Sequence, residues 1–157
     1  MKNKPLIIIA GEPNSIFIEI YLKTIKKHCL KRPNILIISK NLLLKQMKFF
    51  KYNFKVNTID FRKINFNELK KNEINIIDIE LKFNKIFDKI SKKSNQYLEK
   101  CFKVSLKLLK TNKFSGLING PISKKHFLAG ESLGITEYLA KQTKRSNKVA
   151  MLIFNKK

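Results

Sequence analysis

Apolar residues in this chain form short unbroken runs, separated by stretches in which they recur at helical spacing. Pro5–Ala10 and Ile35–Ile38 are such runs, apolar on both faces like buried strands of a parallel sheet. Between them, residues 16–30 predict a helix. Its apolar stripe is predicted to contain Ile16, Phe17, Ile20, Tyr21, Thr24, Ile25 and His28. Strand, helix and strand joined by short connections predict a βαβ unit with parallel pairing and a right-handed crossover.

The pattern is weakest between residues 41 and 95. Asn41–Phe50 has the spacing of a second helix, with Asn41 as its predicted N-cap. Two strands are predicted further on, followed by a charged helix or loop to which we assign no chemistry. These segments are Phe54–Ile59, Ile74–Leu81 and Lys82–Lys93.

The clearest helix is Gln96–Thr111, which is followed by a strand at Phe114–Asn119 and a final predicted strand at Val149–Phe154. The inner stripe of this helix is Leu98, Cys101, Phe102, Ser105, Leu108 and Leu109, and its outer row is Lys100, Lys103, Lys107 and Lys110. Strands that alternate with helices predict an α/β fold, with a mostly parallel sheet and flanking helices.

The net charge of +23 in 157 residues raises nucleic acid as a possible partner. The lysines are spread over the whole chain, however, and arginine occurs only as Arg32, Arg62 and Arg145. Base-reading and phosphate-clamping proteins favour arginine, whose planar fork bonds bidentately. We therefore favour a Lys/Ile/Asn compositional bias over a nucleic-acid function, and a basic nucleic-acid-binding domain remains an alternative.

The two cysteines, Cys29 and Cys101, are far apart and fit no metal-binding spacing. We expect both to be free thiols in a reducing cytoplasm. No apolar run approaches the length of a membrane span, and the run before Gly11 is too short for a signal peptide. These features predict a cytoplasmic protein.

The most informative stretch runs from Leu117 to Lys124. Gly120 and Pro121 break the strand before them, and Ser123 is a predicted N-cap for the next element. Open α/β sheets bind ligands where such strands end. Gly120 would let the backbone approach a bound group, and Lys124 would place an ammonium near an anion. Thr136, at the start of a further short helix, offers a hydroxyl and N-terminal N–H groups. The alternative is an ordinary strand–helix turn with a solvated lysine.

Three motifs follow one another here: Gly120-Pro-x-x-Lys124, Ala129-Gly130 and Gly134-Ile-Thr-Glu-Tyr138. An earlier motif, Gly11-Glu-Pro13 with Ile16, Glu19 and Ile20, follows the first strand. Their order resembles the 4-hydroxythreonine-4-phosphate dehydrogenase family of vitamin B6 biosynthesis. That family has Gly-Pro-x-x-Lys, Ala-Gly and Gly-His-Thr-Glu, and it opens with Gly-Glu/Asp-Pro-Ala-Gly-Ile-Gly-Pro-Glu-Ile.

The resemblance implies an isocitrate/isopropylmalate dehydrogenase-like fold, of which residues 1–157 would be the N-terminal portion of a two-domain enzyme. It implies NAD(P)-dependent oxidation and decarboxylation of 4-phosphohydroxy-L-threonine, a divalent metal, and a homodimer at full length. Because family members are about twice as long and their metal-binding histidines lie beyond this stretch, we expect a truncated chain without metal ligands and without turnover of its own. His126 is not expected to hold a metal alone.

Within the resemblance, Thr136, Lys124 and Gly120 are the predicted substrate-binding positions. Ile135 stands where the family has the histidine that contacts the phosphorylated substrate. In the opening motif Ser15, Phe17 and Ile18 replace the family's two glycines and second proline. These departures leave a second hypothesis, a diverged protein that binds a phosphorylated small molecule without oxidising it.

Overall fold

The computed structural model describes residues 4–28, 32–128, 132–146 and 148–155. The chain divides into two compact units, Met1–Ile122 and Ser123–Lys157. Leu30, Cys29 and the Ala129-Gly130 motif, each of which entered the sequence predictions, lie outside the described residues.

The first unit is built on one five-stranded sheet in which every pair of neighbouring strands is parallel. Its strands lie in the order β3-β4-β2-β1-β5. They are β1 (Leu6–Ile9), β2 (Asn34–Ile38), β3 (Val56–Thr58), β4 (Ile74–Asp78) and β5 (Gly116–Asn119). The predicted α/β class and parallel sheet are therefore confirmed.

The continuous apolar runs occupy the centre of the sheet because helices cover both of its faces. Ile35, Leu36, Ile37 and Ile38 of β2 are all fully buried, between β1 on one side and β4 on the other. Burying one such side chain contributes roughly 1.5–3 kcal/mol. The half-exposed strand predicted at residues 54–59 is the short edge strand β3.

The described part of the first unit contains three α-helices, α1 (Phe17–Lys27), α2 (Lys40–Phe49) and α3 (Lys92–Leu109). The stripe predicted for α1 is wrong in part. Ile18, Tyr21 and Leu22 are its buried residues, whereas Ile16 and Ile20 are 65% and 51% exposed. Apolar residues surround most of this helix, so the spacing alone did not decide which side faces the sheet.

The predicted cap of α2 is also wrong. Ser39, not Asn41, precedes the helix, and its side chain accepts a hydrogen bond from the Leu42 N–H at 3.5 Å. Ser39 can take this role because it directly follows β2 in extended backbone, the conformation an N-cap requires.

The helix predicted at Gln96–Thr111 begins earlier, at Lys92. Ser91 and Ser94 exchange side-chain-to-backbone hydrogen bonds, a reciprocal cap that starts the helix. Five of the six residues predicted for its inner stripe are buried, namely Leu98, Cys101, Phe102, Ser105 and Leu108, whereas Leu109 is half-buried. The lysines of its outer row are exposed.

The final strand predicted at Val149–Phe154 is wrong. The described residues 148–155 form neither helix nor strand, and Leu152, Ile153 and Phe154 are about nine-tenths exposed. An apolar run becomes a strand only where a neighbour takes up its backbone hydrogen bonds, and no described strand does so here. No helix in the described ranges is long and apolar enough to cross a membrane.

Candidate functional site

The carboxyl ends of the strands bring two of the sequence motifs together within the first unit. The loop after β1 carries Gly11, Glu12 and Pro13, and the loop after β5 carries Gly120 and Pro121. The two loops are joined by a backbone hydrogen bond from the Glu12 N–H to the Pro121 carbonyl at 2.8 Å. Since β1 and β5 are neighbours in the sheet, their loops form one edge, where open α/β sheets carry their sites.

The glycines of this edge are required by the protein's own backbone. A Cβ at Gly120 would stand 2.4 Å from the Ala10 carbonyl oxygen, and one at Gly11 would stand 2.4 Å from that of Pro121. Gly11 also has φ of +78°, a conformation that L side chains rarely adopt. Gly120 was predicted to let the backbone approach a ligand. In the structure, the backbone that approaches it is that of Ala10, which directly follows β1.

Phe17 is the residue that the resemblance places where the family has a glycine. Its ring packs against the buried cluster of the first unit, and its Cγ lies 3.0 Å from the position a Gly120 Cβ would take. The side chain thus fills space beside the glycine loops.

Glu12 is the residue of this edge that sequence reasoning did not select. The residue is 6% exposed, in the loop that follows the interior strand β1. Charged side chains are rarely so buried unless they have partners or a function. The sequence feature that could have identified Glu12 is its position in Gly11-Glu-Pro13, directly after an unbroken apolar run.

Gln46 of α2 fixes the shape of the same edge. Its Nε2 donates to the Pro13 carbonyl at 2.8 Å and to the Ile86 carbonyl at 3.2 Å, and the residue is 1% exposed. One buried amide therefore ties the loop after β1 to the segment that follows β4.

Replacing Gln46 with leucine is expected to lower the free energy of unfolding by about 1–3 kcal/mol, because the carbonyls of two partly buried residues lose their donor. Urea denaturation would measure the change. The matched control is Gln96→Leu, at an exposed position of α3 with no side-chain partner in the described structure, where a change within about 0.5 kcal/mol is expected. Equal losses of unfolding free energy in the Gln46 and Gln96 variants would contradict the role of Gln46 in joining the two segments.

The remaining predicted site residues lie in the second unit. Lys124 is exposed in a single π-helical turn, Lys124–Leu128, at whose start Ser123 Oγ accepts a hydrogen bond from the His126 N–H at 3.3 Å. Ser123 therefore acts as the predicted cap. The second unit also contains α4 (Ile135–Gln142).

Ile135 and Thr136 are adjacent in the first turn of α4, and both are half-buried. Gly134 precedes the helix without a side-chain cap, so the first N–H groups are left to other acceptors. The Thr136 hydroxyl has no hydrogen-bond partner among the described residues. Tyr138 packs edge-to-face on Phe127, with ring centroids 5.2 Å apart, which joins α4 to the π-helical turn. This end of α4 can offer a hydroxyl and N–H donors to an anion.

A buried polar pair lies beneath the sheet edge, where β2 meets α3. The Tyr97 hydroxyl accepts a hydrogen bond from the Ser39 N–H at 3.1 Å and makes a side-chain hydrogen bond with Cys101. Burial raises the pKa of the Cys101 thiol to about 12 and the pKa of the Tyr97 hydroxyl well above its ordinary value. A thiol held neutral in this way is a structural residue, not a nucleophile.

The donor set of the described ranges does not fit a metal centre. No three His, Cys, Asp or Glu side chains in them are grouped so that they could hold an ion. Of the two histidines, His28 caps the C-terminus of α1 and His126 lies in the π-helical turn of the second unit.

The fold and its edge define a class: a parallel α/β protein whose glycine-bearing loops meet at the carboxyl ends of neighbouring strands. Within that class, the sequence pattern of the family described as pyridoxal phosphate biosynthetic protein PdxA matches residues 30–157. The chain belongs to this family. The resemblance inferred from the motifs is thus confirmed.

Solved structures agree with the fold. A 4-hydroxythreonine-4-phosphate dehydrogenase from Burkholderia phymatum matches with a TM-score of 0.76 and 19% identity, over 90% of this chain and 44% of that one. The dehydrogenase of the same name from Klebsiella pneumoniae matches with a TM-score of 0.71 and 20% identity, over 90% and 45%. This chain therefore spans under half the length of these proteins. A comparison with curated protein sequences found no match.

Proposed function

We propose that the chain supplies the N-terminal portion of a cytoplasmic 4-hydroxythreonine-4-phosphate dehydrogenase, an NAD(P)-dependent oxidoreductase of vitamin B6 biosynthesis. The family match over residues 30–157 is the observation that carries this proposal. The meeting of the Gly11 and Gly120 loops at the sheet edge supports it, because a substrate site of such a fold is expected there.

The contribution of this portion would be to hold the substrate phosphate. Thr136 would donate its hydroxyl hydrogen to a phosphate oxygen, the first N–H groups of α4 would donate beside it, and Lys124 would add an ammonium. The resemblance also implies a nicotinamide acceptor and a divalent metal. The described His, Cys, Asp and Glu side chains do not fit a metal site. We therefore assign to this chain no reaction step that needs a metal.

We expect the 157-residue chain alone to bind 4-phosphohydroxy-L-threonine without oxidising it. Thr136→Val keeps the shape of the side chain but removes the hydroxyl, and a hydrogen bond to a charged group is worth about 1.5–3 kcal/mol, or roughly 10- to 150-fold in Kd. Calorimetric titration would measure Kd, and absorbance at the reduced-nicotinamide wavelength would monitor turnover.

The control for this experiment is Thr143→Val, near the C-terminal end of α4, where the hydroxyl donates to the Leu139 carbonyl. Its Kd is expected to match that of the unchanged chain. NAD-dependent oxidation by the chain alone would refute the expectation that catalysis requires a further portion of the enzyme. Equal affinity of the Thr136 and Thr143 variants would refute the role of Thr136.

A second candidate is a binder of a phosphorylated small molecule that performs no oxidation. Ile135 favours it, because an isoleucine can neither donate a hydrogen bond nor carry charge where the family has a histidine. Ile135→His separates the candidates: tighter binding of the phosphorylated substrate would indicate an altered dehydrogenase site, and unchanged or weaker binding would indicate a site adapted to another ligand.

A further inference from the structure

A group of lysines lies in the first unit, at residues to which the sequence analysis assigned no chemistry. A cleft of about 440 Å³ lies between the loop after β1 and the segment that leads from β4 into α3. Its volume is within the range of small-molecule sites, roughly 300–1,000 Å³. Five lysines line it: Lys82, Lys85, Lys89, Lys92 and Lys93.

The cleft carries more positive charge than its own carboxylates can balance. Glu12 and Asp88 are the acidic residues in its lining, and an Asp88 carboxylate oxygen already accepts a hydrogen bond from the Lys89 N–H at 2.9 Å. None of the five ammonium groups makes an ion pair with a described residue. Like charges gathered around one concavity repel one another, and an anion bound among them would remove that repulsion.

The walls of the cleft are fixed by hydrogen bonds. Gln46 ties Pro13 to Ile86, so the two facing segments are joined by a buried side chain. The reciprocal cap between Ser91 and Ser94 fixes the start of α3, which forms the remaining wall. A backbone held in this way needs little rearrangement on binding, which reduces that part of the entropic cost of taking up a ligand.

Backbone donors add to the charge. The N–H groups of Lys92 and Lys93 open the 18-residue helix α3 and have no acceptor among the described residues. They lie in the wall of the cleft with their own ammonium groups, and the positive end of the helix dipole adds to the field there.

We propose that this cleft binds a small polyphosphate-bearing anion, such as a pyrophosphate group. Several phosphate oxygens carrying multiple charges match five ammonium groups and free N–H donors better than a single carboxylate does. The cleft shares the loop after β1 with the sheet edge, but none of its lining residues is among Gly120, Lys124, Ile135 and Thr136, so the proposal does not require the substrate contacts proposed above.

Inorganic pyrophosphate, titrated calorimetrically into the chain without divalent cations at about 0.15 M salt, is the test. The variant is the triple substitution Lys89→Gln, Lys92→Gln and Lys93→Gln. Its matched control is Lys100→Gln, Lys103→Gln and Lys107→Gln, which removes the same charge from the exposed face of the same helix. We expect saturable binding that weakens by about tenfold or more in the cleft variant and by less than about twofold in the control.

Equal weakening in both triple variants would overturn the proposal, because it would show diffuse attraction to a basic surface. Absence of saturable binding would overturn it as well. The proposal would also be overturned if a single-stranded oligonucleotide displaced pyrophosphate and both triple variants lost affinity equally. That result would indicate a nucleic-acid partner instead. If the first variant does not fold, as judged by circular dichroism, the loop pair Lys82→Gln and Lys85→Gln is compared with Lys100→Gln and Lys103→Gln, and the loop pair is expected to weaken binding more than its control.

Discussion

Replacing Gly120 with alanine is expected to cost the first unit about 3 kcal/mol or more, a large part of the 5–15 kcal/mol by which domains of this size are stable. The added Cβ would meet the carbonyl oxygen of Ala10 at 2.4 Å and its carbonyl carbon at 2.7 Å. Both are backbone atoms of the chain next to β1, in the centre of the sheet, so neither can move without disturbing strand pairing. Thermal and urea denaturation would measure the loss.

Gly116→Ala is the matched control for this substitution. Gly116 lies in the same strand, β5, and the nearest atom to a Cβ there is Leu6 Cδ2 at an ordinary 3.8 Å. We expect its unfolding free energy to lie within about 1 kcal/mol of the unchanged chain. Gly11→Ala should behave like Gly120→Ala, since its Cβ would meet the Pro121 carbonyl oxygen. Similar stabilities at positions 116 and 120 would contradict the close approach of the two loops.

The second large effect is a loss of stability in alkaline solution. Burial raises the pKa of Cys101 from 9.0 to about 12, and it also raises those of Tyr21 and Tyr97. Above about pH 9 the unfolded chain releases the Cys101 proton while the folded chain keeps it, so the free energy of unfolding falls by about 1.4 kcal/mol per pH unit. The stabilisation is fully present below the unfolded pKa and is lost as the pH rises towards the folded pKa. By about pH 10.5 Cys101 alone accounts for about 2 kcal/mol.

Urea denaturation at several pH values would isolate this contribution. Cys101→Ala should be less stable at neutral pH but should lose stability more slowly above about pH 9, by the slope that one proton gives. Ser105→Ala, at another buried polar position of the same helix, should keep the slope of the unchanged chain. Parallel pH curves for the unchanged chain and Cys101→Ala would show that the thiol does not titrate as its burial requires.

The sheet was predictable from the sequence because its central strands are buried on both faces. Such a strand must be apolar at every position, and the apolar run Ile35–Ile38 between two helical segments therefore predicts a buried strand. The orientation of α1 was not predictable, because Ile18 and Leu22 compete with Ile16 and Ile20 for the same role. Only the surface against which the helix packs decides between the two stripes. The same limit explains Val149–Phe154, whose composition suits a strand but whose backbone pairs with no strand among the described residues.

Part of the candidate site was predictable, and part depended on contacts that no local pattern records. The Gly120 loop was located correctly, but the atoms opposite the glycine belong to Ala10, far away in sequence. Gln46 joins carbonyls 33 and 40 residues from it, and within α2 it resembles any polar helical residue. The lysines of the cleft were dismissed as scattered charge because their convergence on one concavity exists only in three dimensions.

The placement of β1 bears on how the molecule is made. β1 leaves the ribosome before the other described strands, yet it lies inside the sheet and pairs on one side with β5, whose residues come about 110 positions later. Until β5 emerges, one side of this wholly apolar strand has no partner, and such unpaired edges are prone to aggregation. The sheet of the first unit therefore cannot be completed until the residues of β5 have been translated, and the β5-facing edge of Leu6–Ile9 stays unpaired for that interval.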